Sequence, residues 1–455
     1  MSEGVVAQKS EKGKIIAWSF WDWGSAAFNA VIVTFIFSVY LVDSVGKDIP
    51  GPFRAATWLG LASAAGAVLI AVAAPALGRR SDAGGHRKRS LLLLTLAVVA
   101  ITASCFFVKD DWHYLWLGLA LIAGGSVVFE LASVPYFAML RQVSTPENVG
   151  RVSGLGWAFG YFGGIILLLI CYFGFVVGDE PTRGFMNVPV EDGLYIRYIA
   201  LVSAVWFLIF AIPLFVAIPE LPATANEDSA KASITDSYRA IWNDVTTMWR
   251  EDRNTLKFLI ASAFFRDGLA GVFAYGAILA VSVYGIAKDD VIIFGVAANV
   301  ISALGALAAG RWDDRVGPRA VIVTSLVAML VCGSILFFVS GPKMFWIFGL
   351  GLCLFVGPAQ SAARTYLTRI TEPGHEGQNF GLYAMTGRAA SFMAPLLFAI
   401  FIWAGNLFTG EDTDRWGILG IMVVLAIGLF LLLRVPAHIE DRALRGISRP
   451  SRTLE

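Results

Sequence analysis

Charge is what this 455-residue chain has little of. Asp, Glu, Lys and Arg make up 15% of it, against about 25% in a soluble domain, while 57% of the residues are hydrophobic. The net charge of +1 argues against a nucleic-acid partner, which calls for a basic surface. Cysteine is scarce as well. Cys105, Cys171, Cys332 and Cys353 all fall within apolar runs, without CxxC spacing, so they read as small buried hydrophobes and neither as metal ligands nor as an extracellular disulfide framework. His86, His113, His375 and His438 lie in loops or tails and form no metal cluster or triad pattern. A phosphate-binding P-loop is missing too, which argues against direct coupling to ATP. No feature recommends an enzyme, and no metal or cofactor is expected.

Long apolar runs are what the chain has in quantity. A bilayer-crossing helix needs roughly 20 mainly apolar residues, and twelve such spans are readable. The first six are about Ile15–Val42, Ala55–Leu77, Ser90–Val108, Tyr114–Leu140, Val152–Val177 and Leu194–Ile218. The second six are about Lys257–Tyr284, Val291–Ala309, Ala320–Val339, Phe345–Leu367, Phe380–Asn406 and Trp416–Val435. The opening polar residues carry Lys9, Lys12 and Lys14, and the run after them contains Asp22 and is too long for a signal-peptide core. It is read as a retained first span. Lys and Arg concentrate at the N-terminus, Arg79–Arg89, Arg141 to Arg151, Arg311–Arg319 and Arg434 to Arg452. That side is expected to be cytoplasmic, with both termini inside, in an integral protein of the cytoplasmic membrane contacting lipid.

Pro219 to Asp252 interrupts the rhythm. Glu220 to Ala232 has the composition of a flexible linker. Beyond it, Ile234, Tyr238, Ile241, Trp242, Val245, Met248 and Trp249 fall on one helical face. This is either an amphipathic helix at the inner membrane surface or a solvated linker with some helicity. The expected organisation is an N-terminal bundle over 1–218, a linker over 219–256, a C-terminal bundle over 257–435 and a tail over 436–455.

The halves repeat. Phe20-Trp21-Asp22 with Phe28 in span one matches Phe265-Arg266-Asp267 with Phe273 in span seven. Gly78, Asp82, Gly85 and Arg87 after span two match Gly310, Asp314, Gly317 and Arg319 after span eight. Duplicated halves around a central site are a recurrent transporter plan. In the loops, glycine permits close packing, and Asp82 and Asp314 suit a neighbouring helix N-terminus, where the dipole favours an anion. The four residues of each loop are therefore candidate inner-gate residues.

Charges deep inside apolar spans are costly and usually face a bundle interior or a wet cavity. Asp22, Glu130, Arg266, Asp267 and Arg388 are such charges. Asp22 and Glu130 are candidates for proton coupling, or are structural acids. Glu130 has Arg266 and Arg388 as candidate partners across the bundle. Arg266 and Asp267 project about 100° apart on a helix, so at least one is expected to reach another helix. Arg388 either binds a substrate carboxylate or phosphate with its fork or serves as counter-ion to a buried acid. Gln360, Ser361 and Arg364 sit in the inner half of span ten, where Arg364 has the option of snorkelling to the surface. Trp21 and Trp23 flank Asp22 and are candidates for a cavity wall or a stacking surface.

The Gly-x-x-x-Asp-x-x-Gly loop followed by basic residues resembles the signature loop of the major facilitator superfamily, and its second copy is expected there. A narrower resemblance, to the vacuole-effluxer-like family that includes the autophagy-related amino-acid effluxers of fungi, rests on several runs. They are Trp18 to Phe28, Val152 to Gly164, Phe264 to Gly268, Gly357 to Arg364, and Phe380 to Tyr383 with Gly387, Arg388 and Pro395. Departures from the family's usual pattern include Trp21 before Asp22, Glu130 in span four, Arg266 before Asp267, and Arg388 where Lys is common. The resemblance implies an all-α membrane protein: twelve transmembrane helices in two pseudo-symmetric six-helix bundles facing a cavity lined by spans one, four, seven and ten. It also implies a monomeric secondary transporter that exports amino acids or similar small metabolites; the carboxylates inside the spans make protons the expected coupling ion, with the proton gradient as driving force. The alternatives are an amphiphilic drug or lipid exporter, a sugar or nucleoside permease, and a non-transporting membrane partner or sensor.

Overall fold

A computed structural model describes residues 2–83, 86–178, 181–221, 253–408 and 413–436, with single positions between 239 and 250. Twelve helical spans among the described residues are long and apolar enough to cross a bilayer. Those of the first half are Glu11–Val45, Ala55–Asp82, Arg87–Phe107, Trp112–Val143, Val149–Val176 and Glu191–Ala217. Those of the second are Arg253–Ser282, Ile293–Val316, Pro318–Phe338, Pro342–Ile370, Glu376–Phe408 and Thr413–Leu433. Most of the face expected to form an amphipathic linker helix (Ile234, Tyr238, Ile241, Trp242 and Met248) lies outside the described residues.

The helices form because a helix satisfies its backbone polar groups within its own segment, as hydrocarbon requires, and large side chains are exposed where lipid takes the place of water. Val216 and Phe338 are about four-fifths exposed, which is expected of a lipid-facing surface and would be costly in water. Span one departs from α geometry. After the helix Ser2–Ala26 comes a π-helical stretch, Ala27–Phe35, over the β-branched run Val31–Thr34, whose side chains crowd the preceding turn of a regular helix. The loop before span six holds the one sheet among the described residues, β1 (Thr182–Arg183) paired antiparallel with β2 (Val188–Pro189).

The chain divides into two compact units. The first comprises Met1–Met139 and Gly156–Lys231, and the second comprises Leu140–Leu155 and Ala232–Glu455. The connection from span four to span five, with the last four residues of span four and the first seven of span five, thus belongs to the second unit although the rest of both helices belongs to the first.

Within the second unit, spans eight and ten meet backbone to backbone. A methyl group at Gly305 would collide with the Leu354 carbonyl, and one at Gly357 with the Ser302 carbonyl. The Ser302 hydroxyl donates to the Cys353 carbonyl at 2.7 Å. Small residues at a crossing are how membrane helices gain close packing.

Span eleven is continuous in hydropathy and broken in structure. It consists of two helices, Glu376–Ala390 and Met393–Phe408, separated by a turn at Ser391 and Phe392. Pro395 has no N–H and its ring clashes with the carbonyl four residues earlier, that of Ser391.

Candidate functional site

In the first unit, span one presents two aromatic faces. On one, Trp18 stacks on Tyr136 of span four with ring centres 4.6 Å apart. The two residues also exchange hydrogen bonds: Trp18 Nε1 donates to the Tyr136 carbonyl at 3.2 Å and Tyr136 Oη to the Trp18 carbonyl at 3.3 Å. Trp21 stacks on the same ring at 4.2 Å and donates to Thr95 Oγ1 at 3.0 Å. Trp21 is fully buried, so the structure makes it part of the packed core and gives it no free face as a cavity wall. Trp23 turns the other way, into a cluster with Phe20, Phe159, Trp206 and Phe210, and is only half-buried. Asp22 lies between these faces, half-buried, with Gly160 of span five opposite it. Glu130 is half-buried on span four, beside Phe129 and six residues before Tyr136.

In the second unit, both members of the Arg266–Asp267 pair reach span eleven. The Arg266 guanidinium lies 3.7 Å from the centre of the Tyr383 ring and donates to the Tyr383 carbonyl at 3.0 Å. Buried Asp267 accepts from the backbone N–H of Ala394 at 2.6 Å. Arg388 is half-buried in the last turn of the first helix of span eleven, and Ser391 Oγ donates to its carbonyl at 2.8 Å.

The two signature loops are built differently. In the first, Arg87 donates to Asp82 Oδ1 from Nε at 2.9 Å and from Nη2 at 2.6 Å, with both side chains more than nine-tenths buried. The N-terminus of span three is met instead by Glu220, which accepts from Lys88 N at 2.7 Å and Arg89 N at 3.0 Å. Sequence composition assigns Glu220 to a flexible linker; the structure docks it, because a helix N-terminus with free N–H groups attracts a carboxylate. Gly85 lies outside the described residues.

In the second loop Asp314 caps span five. It accepts from Gly150 N at 2.8 Å, Arg151 N at 3.3 Å and Arg151 Nε at 2.7 Å. Gly310 is required here, since a Cβ on it would come within 2.7 Å of the Gly150 carbonyl. Gly317, at φ +88°, makes the turn into span nine. Arg319 serves another end, donating to the Leu433 carbonyl at 3.3 Å.

Around Asp314 the second unit carries a polar cluster that sequence reasoning caught only in part. Arg364 does not snorkel: it is 2% exposed. It donates to Ser153 Oγ at 3.0 Å from Nε and to the Ser153 carbonyl at 2.7 Å from Nη2. Ser153 Oγ in turn donates to the Ser361 carbonyl at 2.9 Å. Arg369 pairs with buried Asp313 at 3.1 Å. Arg141 donates to the Thr371 carbonyl at 2.6 Å and stands 3.6 Å from Glu376. Gln360 is half-buried one residue before Ser361. Asp313, Arg369, Arg141 and Glu376 carried one signal each, an Asp-Asp doublet in the loop or a charge at a span end, and neither reveals a partner far away in sequence. Glu147, just before span five, has its carboxyl held below the usual range by the Thr145 hydroxyl.

These elements define a transporter fold. The chain superposes on the proton:xylose symporter XylE with a TM-score of 0.72 at 15% identity, covering 97% of this chain and 100% of that one. The human organic anion transporter MFSD10 (TETRAN) gives 0.72 at 14%, covering 93% and 99%. The fold is that of the major facilitator superfamily, whose members are transporters and not enzymes. Residues 59–443 match the model of the family described as vacuole effluxer Atg22 like, and the chain belongs to that family. It is 23% identical over 424 residues to the uncharacterized MFS-type transporter YxiO of Bacillus subtilis (strain 168), covering 92% of this chain and 94% of that protein. It is 21% identical over 340 residues to autophagy-related protein 22 of Yarrowia lipolytica (strain CLIB 122 / E 150), covering 69% and 55%. The chain spans about half the length of the fungal relatives it matches.

Proposed function

We propose that the protein is a secondary active transporter that exports a small polar solute, an amino acid or similar metabolite, across the cytoplasmic membrane by alternating access. The proton gradient drives it, no cofactor takes part, and it works as a monomer with both termini and the cation-rich loops in the cytoplasm. The observation that carries this reading is the grip of the second unit on Leu140–Leu155, a segment continuous with two helices of the first. Asp314, Arg364, Glu376 and the Gly310 contact supply that grip through polar bonds and one close approach, which break and re-form more readily than an interdigitated apolar core. This cluster is the inner gate. Its opening releases the segment, and the half-buried charges Asp22, Glu130 and Arg388 deal with solute and proton. Arg388 is the contact for the solute's carboxylate, and the family's description as effluxers favours export.

The half-buried aromatic cluster of Phe20, Trp23, Phe159, Trp206 and Phe210 supports a second reading, an amphiphile exporter. One screen separates the two. The purified protein is melted with amino acids, short peptides, nucleosides, sugars and amphiphilic drugs at acidic and neutral pH. A ligand at 100 times its dissociation constant stabilises by about 2.7 kcal/mol. Stabilisation by amino acids that is lost in Arg388→Ala, followed by flux in liposomes, supports the metabolite exporter. A shift with amphiphiles alone supports the second reading. Binding without flux in liposomes points to a sensor.

A further inference from the structure

The break in span eleven leaves backbone donors to be accounted for. A helix starting at Met393 has free N–H groups in its first turn. Pro395 has none to offer, and Leu396 N already bonds the Phe392 carbonyl at 3.1 Å. Met393 and Ala394 remain: Ala394 N donates to Asp267 Oδ2 at 2.6 Å, and Met393 is its neighbour at the same helix end. On the other side of the break, Arg266 lies against the first helix of span eleven, on the Tyr383 ring and its carbonyl. Gly387, one turn further on, leaves it room: a Cβ there would come within 2.9 Å of Arg266 Nη1. The pairing matches helix electrostatics, with the anion at an N-terminus and the cation toward a C-terminus. Two adjacent residues on span seven thus hold the two pieces of span eleven, one each.

We propose that Arg266 and Asp267 are the two pins of a hinge at Ser391–Phe392, and that they act as positioning residues for Arg388. Pro395 fixes where span eleven bends, and the pair fixes by how much. Arg388 sits in the last turn before the bend, between the Arg266 contact at Gly387 and the turn residue Ser391. Its guanidinium is therefore aimed by a rigid seat, and a loosened pin on either side lets it wander. The hinge stands on the geometry alone. The positioning of Arg388 rests, in addition, on the reading of Arg388 as the carboxylate contact.

Amide hydrogen exchange of the full-length protein in detergent tests the hinge. Asp267→Asn and Asp267→Ala are expected to speed exchange at Met393 and Ala394 at least tenfold, with spans eight to ten unchanged. Arg266→Ala is expected to speed exchange at Gly387, and Arg266→Lys to do so less, because Lys lacks the planar fork. Wild-type exchange at Met393 and Ala394 in both Asp267 variants overturns the hinge, as does an equal rise across the whole second unit. For the positioning role the probe is a mixture of the twenty amino acids, read by thermal shift. Asp267→Ala is expected to raise the concentration for half-maximal shift severalfold. If that concentration is unchanged while Arg388→Ala abolishes the shift, positioning is overturned and the amino-acid reading stands. If the wild type shows no shift at all, the amino-acid reading fails and positioning falls with it, while the exchange data still judge the hinge.

Discussion

Two loops with the same spacing of Gly and Asp do different work in the two halves. Asp82 is neutralised inside its own loop by Arg87, and the nearby helix N-terminus goes to Glu220. Asp314 reaches out and caps span five, where Gly150, Arg151 and the buried Arg364–Ser153 contact follow one another. The first copy contains a buried brace between Asp82 and Arg87, and the second a latch from Asp314 onto a segment from elsewhere in the chain.

The contrast predicts different costs. Asp82→Ala breaks a buried ion pair with Arg87 and is expected to cost several kcal/mol of stability, on the order of 3. Adding Arg87→Leu should return much of that loss in thermal unfolding, and a double variant no better than the single would mean that the brace is not the pair. Asp314→Ala removes a helix cap, for which about 0.5–2 kcal/mol is usual. Its larger effect should be faster amide exchange at Gly150 and Arg151, which Asp82→Ala should leave alone. Equal exchange there in both variants would erase the distinction between the loops. Glu220→Gln weakens a charge–dipole contact at a helix end and is expected to cost about 0.3–1 kcal/mol, screened by salt.

The smallest effect lies at the opposite ends of the spans. Partial burial and the neighbouring Asp192 raise the pKa of Asp110. A carboxyl raised in the folded state binds more protons folded than unfolded, so its contribution to stability falls as pH rises from the unfolded value through the folded one. Asp110→Asn should flatten that part of a melting-temperature profile against pH. An unchanged profile would remove Asp110 as its source.

The spans were legible because twenty-residue apolar runs have few other uses, and the repeat was legible because it is written in residue types. The break in span eleven was not, since hydropathy ignores a missing N–H; Pro395 was the available signal. Partners such as Ser153 for Arg364, or Tyr383 for Arg266, are matters of packing between helices far apart in the chain. A sequence shows that Arg266 and Asp267 must find separate company, and only the fold shows that both find it on the same broken helix.

The close crossing of spans eight and ten sets how the latch behaves. With Gly305 and Gly357 each pressed on the other helix's backbone, there is no side-chain layer through which the two could slide. Asp313 and Asp314 on one and Arg364 and Arg369 on the other are in effect mounted on a single plate. Bonds on a common plate fail together, so release should be steep and all-or-none, and weakening one bond should shift the balance point of the switch without adding intermediate positions.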